Sequence, residues 1–190
     1  QVVARDKIAR ICDLSKRADM KVVIDDSRNL REISEVATDR EATVGVLIEV
    51  DTSMGRGGVR RIEQGVELAR LAVQLPGVAF RGVMSHQSLQ GMPDRETRLI
   101  EGRRYIQMCL DVKDAIEAAG IPVEIVSSGE SWTYDVAADI PGVTEVEGGT
   151  YALMAWPYKY MDEFEIAAKV LGTVISTPRP GVAVGDAGQK

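Results

Sequence analysis

In the stretch GVLIEVDTSMGRGGV, Gly45–Val59, the apolar strand GVLIEV runs straight into Asp51, a glycine-rich turn and one arginine, Arg56. The pattern suggests a site built where a strand ends. A parallel α/β sheet gathers its strand C-termini on one face. A loop there can aim a fixed guanidinium at an anionic or phenolic oxygen, while glycines let the backbone come close. Taken alone, the same residues read equally well as a plain strand-to-helix turn.

Outward from this stretch, helical and strand patterns alternate. An amphipathic helix at 3–18 leads to a strand at 21–25, then to a helix opened by Ser27 and running to about Ala37. The strand at 44–50 is followed by a helix from about Val59 to Gln74, stopped by Pro76-Gly77. Next come the strand AFRGVMSHQ at 79–87, the loop SLQGMP, and a long helix from about Asp94 to Ala119 closed by Gly120. VEIVSSG at 123–129 and VTEVEGG at 143–149 read as two further strands, separated by a partly helical segment. Such a βα repeat implies parallel pairing and right-handed crossovers. An open doubly wound sheet and an eight-stranded TIM-type barrel both accommodate it. The barrel, present in part as about five strands, is favoured on two grounds. No early strand carries a GxGxxG turn, and polar candidates follow four of the five strands instead of gathering at one switch point.

From about Ala167 the tail AAKVLGTVISTPRPGVAVGDAGQK changes to a β-rich pattern with Pro and Gly. The expected organisation is a partial α/β barrel over 1–166 and the start of an all-β domain over 167–190. The chain opens without methionine and ends on an unfinished strand or turn, so a fragment of a longer protein is expected.

Composition removes several classes. At 190 residues, 45% hydrophobic and 27% charged, the chain can bury a sizeable core, and a net charge of −6 argues against nucleic acid as a partner. No apolar run is long enough to cross a bilayer and no signal-peptide core opens the chain, so a soluble, cytoplasmic protein is expected. Cys12 and Cys109 read as small core residues, and the single histidine, His86, excludes a multi-histidine zinc site within the chain.

The DTSMGRGG loop, HQSLQ after a strand, SSGES after another, GVTEVEGGTYALM and TVISTPRPGVAVGDAG occur in one order. Together they resemble the pyridoxal-phosphate enzymes of the D-threonine aldolase and D-serine dehydratase group, which share the alanine racemase-like barrel of fold type III. The resemblance runs from Val3 to Asp186 and implies a pyridoxal-phosphate-dependent lyase that cleaves D-β-hydroxy amino acids to glycine and an aldehyde. A dehydratase or racemase on the same cofactor, or a non-catalytic cofactor-binding module, is the alternative. A sugar-phosphate barrel enzyme without cofactor, gripping a substrate phosphate with Arg56 and SSGES, is the bland one. A small-molecule D-amino acid as substrate and a homodimer are implied as partners.

Carried over by position, Arg56 would donate to the cofactor's phenolic oxygen, with Asp51 either orienting it or serving as a turn residue. His86 would lie against the cofactor ring, with Gln87, Ser88 and Gln90 as further polar contacts. Ser128, Gly129 and Ser131 would cradle the phosphate, joined by Gly149, Thr150 and Tyr151. Glu130 departs from the family pattern, and a carboxylate there would repel a phosphate unless it pointed to solvent. Glu147 stands where a carboxylate against the pyridine nitrogen would keep the ring protonated and strengthen the electron sink; an exposed glutamate of an alternating strand reads equally well.

No lysine of the chain matches the Schiff-base lysine of the family. Lys21 starts its strand and so belongs to the opposite face, and Lys159 and Lys190 fall in later segments. If this chain were the whole protein it would lack the covalent anchor. The divalent metal that these enzymes hold in their β domain is likewise expected outside the chain.

Overall fold

The computed structural model describes residues 1–87, 94–154 and 160–188. Along the chain run α1 (Arg5–Ser15), β1 (Lys21–Ile24), α2 (Ser27–Asp39), β2 (Val44–Glu49), α3 (Ile62–Gln74), β3 (Val78–Ser85), α4 (Arg95–Ala118), β4 (Ile125–Ser128), α5 (Tyr134–Ala138), β5 (Val174–Arg179) and β6 (Val182–Gly185). They fall into two units, Gln1–Gly149 and Thr150–Lys190, dividing the chain ahead of the 166/167 boundary expected from composition.

In the first unit β1 to β4 form one parallel sheet in sequence order. Ile24, Ile48, Val83 and Val126 stand in register across it. All four are buried, packing in one core with Ile8 and Cys12 of α1, Leu30 and Ile33 of α2, Leu68 of α3, and Ile106 and Cys109 of α4. Burying these apolar side chains contributes on the order of 1.5–3 kcal/mol each and fixes which face of every strand meets the helices. Strand residues in between point to the opposite face, the inner wall of a barrel.

Caps set where the helices begin. Asp26 accepts from the Arg28 and Asn29 amides at 2.8 and 3.3 Å to open α2, and Asp94 accepts from the Thr97 amide at 2.8 Å to open α4. Helix α3 starts at Ile62, not at Val59 as the apolar spacing suggests. Val59 forms a parallel bridge to Val50: its amide donates to the Glu49 carbonyl at 2.8 Å, and its own carbonyl accepts from the Asp51 amide at 3.0 Å. The glycine loop is thereby pinned back onto the end of β2.

The expected fifth barrel strand at 143–149 is a single bridge, Ser127 to Glu145, in place of a strand. Thr144 explains the difference: its Oγ1 accepts the Val126 amide at 2.9 Å, taking with a side chain the donor that a backbone ladder would use. The sheet of the described residues therefore has four strands where sequence suggested five. At Gly82 of β3 a bulge shifts the register, and a Cβ there would stand 1.9 Å from the Ile125 carbonyl oxygen, so only glycine lets β3 and β4 approach.

In the second unit β5 and β6 form an antiparallel hairpin, within the tail read as the start of a β domain. Among the described residues no helix is long and apolar enough to cross a membrane. Ser88, Gln90, Trp156, Tyr158, Lys159 and Lys190 lie outside the described residues.

Candidate active site

Parallel pairing brings the residues leaving the four strands, Asp25, Val50, His86 and Gly129, to one edge of the sheet. Arg56 stands there on the β2–α3 loop, its guanidinium largely exposed and 3.7 Å from the buried carboxylate of Glu49. Glu49 in turn accepts from the Gln1 side-chain amide at 3.2 Å. Asp51 does not orient Arg56. It accepts from the Gly55 amide at 2.9 Å and from Arg60 Nε at 3.0 Å, which makes it the turn residue of the two readings. Gly58 is required: its φ is +103°, a Cβ would meet the Asp51 amide at 2.5 Å, and its own N–H donates to Asp25 at 2.7 Å.

His86, half-buried, follows β3. Burial lowers its pKa, and the charge of Arg56 lowers it further, while Glu147 and Glu49 pull the other way. Four side chains from separate segments thus share one neighbourhood, with the imidazole neutral at physiological pH.

The loop after β4 splits its two serines by the pleat of the strand. Ser127 donates to Glu147 Oε1 at 2.8 Å, which ties the 143–149 segment to β4. Ser128 points to the other face, into a buried network: its hydroxyl lies 2.8 Å from that of Ser85, and both accept from the Gln87 amide, whose oxygen accepts from Thr133 at 3.3 Å. The Ser128 hydroxyl is therefore committed to the network behind the sheet edge. Gly129 takes φ +108°, where a Cβ would sit 2.7 Å from Ala137, and Ser131 is buried. Glu130 is buried as well, contrary to the solvent-facing placement that a phosphate cradle called for. Burial pushes its carboxyl up to about 8, against a smaller lowering by a Trp132 hydrogen bond, so it is neutral at physiological pH.

The family model described as the alanine racemase N-terminal domain matches residues 5–157. The chain belongs to that family. It is 33% identical to a 3-hydroxy-D-aspartate aldolase of Paracoccus denitrificans over 97% of this chain and 51% of the relative. It is 31% identical to a D-threonine aldolase of an Arthrobacter species over 100% of this chain and 52% of the relative. Among solved structures, the D-threonine aldolase of Filomicrobium marinum superposes with a TM-score of 0.85 at 29% identity, over 98% of this chain and 53% of the other. The chain thus spans about half the length of the curated relatives it matches. The parallel sheet is accordingly part of the alanine racemase-like TIM barrel, and the β5–β6 hairpin fits the start of the β domain that follows it.

Within this racemase-type domain, Gly149 closes the first unit, and Thr150 and Tyr151 begin the second in a 3₁₀ turn, Thr150–Ala152. Lys21 pairs with Asp19 at 2.6 Å at the start of β1, the end of the strand opposite Arg56. Among the described residues no three His, Cys, Asp or Glu side chains converge as metal ligands.

Three residues escaped the sequence reading. Glu49 was signalled by being the one acid inside an apolar strand. Ser127 was masked by its neighbour, although alternation along a strand separates the two. Arg98 gave no signal, yet it is fully buried on α4, where it donates to the Trp132 carbonyl and grips both oxygens of Asp135 at 2.9 and 3.0 Å. It clamps the far side of the Ser128–Thr133 loop.

Proposed function

We propose that this chain is the cofactor-binding part of a pyridoxal-phosphate-dependent lyase that cleaves D-β-hydroxy amino acids to glycine and an aldehyde, on the pattern of a D-threonine aldolase. The observation that carries this reading is the meeting of Arg56, His86 and Glu147 at the C-terminal edge of the sheet, where the imidazole feels both charges. The names of the relatives, two aldolases of D-β-hydroxy amino acids, support the substrate class.

The donor set suits the cofactor. Arg56, backed by Glu49, is a permanently charged donor for a phenolic oxygen. Gly129, Ser131 and Gly149 of the first unit would contribute to the phosphate cradle, with Ser128 contributing backbone only, because its hydroxyl is engaged. Glu130 is no obstacle, since a neutral acid places no like charge beside a phosphate. When bound, pyridoxal phosphate supplies an electron sink for the carbanion left at the substrate Cα.

The chain's own residues set how that sink behaves. Glu147, anchored by Ser127, would hold a proton on the pyridine nitrogen, which favours cleavage or elimination over simple racemisation. His86, kept neutral, would lie against the ring without competing with Arg56 for the phenolic oxygen. A homodimer goes with the same reading. The test is glycine release by the natural protein supplied with pyridoxal 5′-phosphate. D-Threonine and D-3-hydroxyaspartate should yield glycine and their L-isomers none. Full cofactor loading with no turnover of either D-isomer would overturn the lyase and leave a binding module.

A further inference from the structure

Glu130 and His86 face each other across the ends of β4 and β3, with His86 Nε2 3.9 Å from Glu130 Oε2. The glutamate is 5% exposed, and its other oxygen, Oε1, is buried without a hydrogen-bond partner. Burying a carboxyl oxygen unpaired costs on the order of 1–3 kcal/mol, and burying it charged costs far more, so the group needs a partner or a proton. Its neighbours are already engaged. Thr133 Oγ1 accepts the Glu130 amide at 3.1 Å, and Gln87 bonds Ser85, Ser128 and Thr133. Arg98 of α4 is held by Asp135 and the Trp132 carbonyl. The Trp132 side chain hydrogen-bonds the carboxyl, and His86 Nε2 is the imidazole nitrogen that faces Oε2.

We propose that Glu130 is a positioning residue for His86: as a carboxylic acid it donates a hydrogen bond to Nε2, so that the neutral ring carries its own proton on Nδ1. The two atoms stand 3.9 Å apart, and closing that gap by about 1 Å makes the bond. When Glu130 ionises, one proton leaves to solvent. The carboxylate then accepts, so the remaining ring proton relocates from Nδ1 to Nε2 through water. The pair is a tautomer selector whose setting is read at the same sheet edge as Arg56 and Glu147. The selector itself stands on the geometry of the two side chains; its use against a cofactor ring rests on the reading given under Proposed function.

Other titratable groups face the pair. Cys109 of α4, against Ser85 and Ser128, is raised to about 12 by burial, Asp135 of α5 is lowered by Arg98, and His86 itself is lowered. Arg56, Glu147 and Glu49 act on the ring electrostatically. Glu130 itself is raised to about 8 by burial.

¹⁵N NMR of imidazoles in the natural protein, with the His86 signals identified by their loss in His86→Asn, reads the tautomer directly. The expected result for the wild type is an Nδ1–H ring at pH 7 that converts to Nε2–H with an inflection near pH 8. Glu130→Gln, whose amide N–H still donates, should keep Nδ1–H up to pH 10 with the inflection gone. Glu130→Leu should lose the Nδ1–H preference at every pH. An unchanged wild-type tautomer from pH 6.5 to 10, or an inflection that survives in Glu130→Gln, overturns the proposal. Because no cofactor is added, its failure is separate from failure of the lyase reading, and the wild-type spectrum decides even if a variant does not fold.

Discussion

Replacing Arg98 by methionine keeps the apolar stem of the side chain but removes the guanidinium that clamps the loop after β4. The guanidinium is fully buried, and its bonds to described residues include two to the Asp135 carboxylate and one to the Trp132 carbonyl. Each charge-assisted bond stabilises the fold by about 1.5–3 kcal/mol, and breaking a buried ion pair from one side costs about 3–5 kcal/mol. Asp135 is partly exposed and can turn to water, which puts the loss at the low end, about 3 kcal/mol. That is a large share of the roughly 5–15 kcal/mol by which a domain is stable. Urea unfolding at pH 7, followed by far-UV circular dichroism, should show a lower midpoint at unchanged slope. Arg98→Lys should recover only part of it, because an ammonium cannot span both oxygens. Asp135→Asn should cost less, about 1–2 kcal/mol, since the amide oxygen still accepts. A shift under about 1 kcal/mol for Arg98→Met, against the 3–5 kcal/mol typical of broken buried pairs, would refute the clamp.

Glu130 should make stability fall with rising pH. Its folded pKa is raised from 4.5 to about 8, so the folded state keeps a proton that the unfolded chain releases. The stabilisation is full below pH 4.5 and is lost as pH climbs through about 8, an upper bound of about 4–5 kcal/mol. Urea midpoints should drop between pH 5 and 9 in the wild type, and Glu130→Gln should lose that drop and keep the smaller rise through pH 6.5 that the lowered His86 contributes; parallel curves for the two would sink the argument. Gly82→Ala should prevent folding of the first unit at 37 °C, because the Ile125 carbonyl oxygen lies 1.9 Å from the added Cβ. A soluble, cooperatively unfolding Gly82→Ala protein would show that β3 and β4 can separate.

Local signals carried most of the barrel. The apolar run at 44–50, the glycines after it and the helix openings near Ser27 and Asp94 are each decided within a few residues, and the structure follows them, with the α2 cap one residue earlier at Asp26. Where the reading slipped, a bond to a distant partner won. Val59 looked helical but is held by Val50, and the alternation at 143–149 suggested a strand whose ladder donor Thr144 had taken with its side chain. The same holds at the candidate site. Arg56, Glu147 and Glu49 act on the His86 ring electrostatically, and the partner of Arg56 is Glu49, not Asp51. Glu130 faces inward for reasons that sequence spacing does not contain: a turn closed by Thr133 and a loop held from behind by Arg98.

The most direct measurement is the affinity of the natural protein for pyridoxal 5′-phosphate and for pyridoxal, by absorbance titration, in wild type and Arg56→Ala. The account predicts that wild type binds the phosphate ester far more tightly than pyridoxal. It also predicts that Arg56→Ala weakens both ligands about 10- to 100-fold, the worth of one charged hydrogen bond. Equal affinity for the two ligands, unchanged by Arg56→Ala, would contradict it.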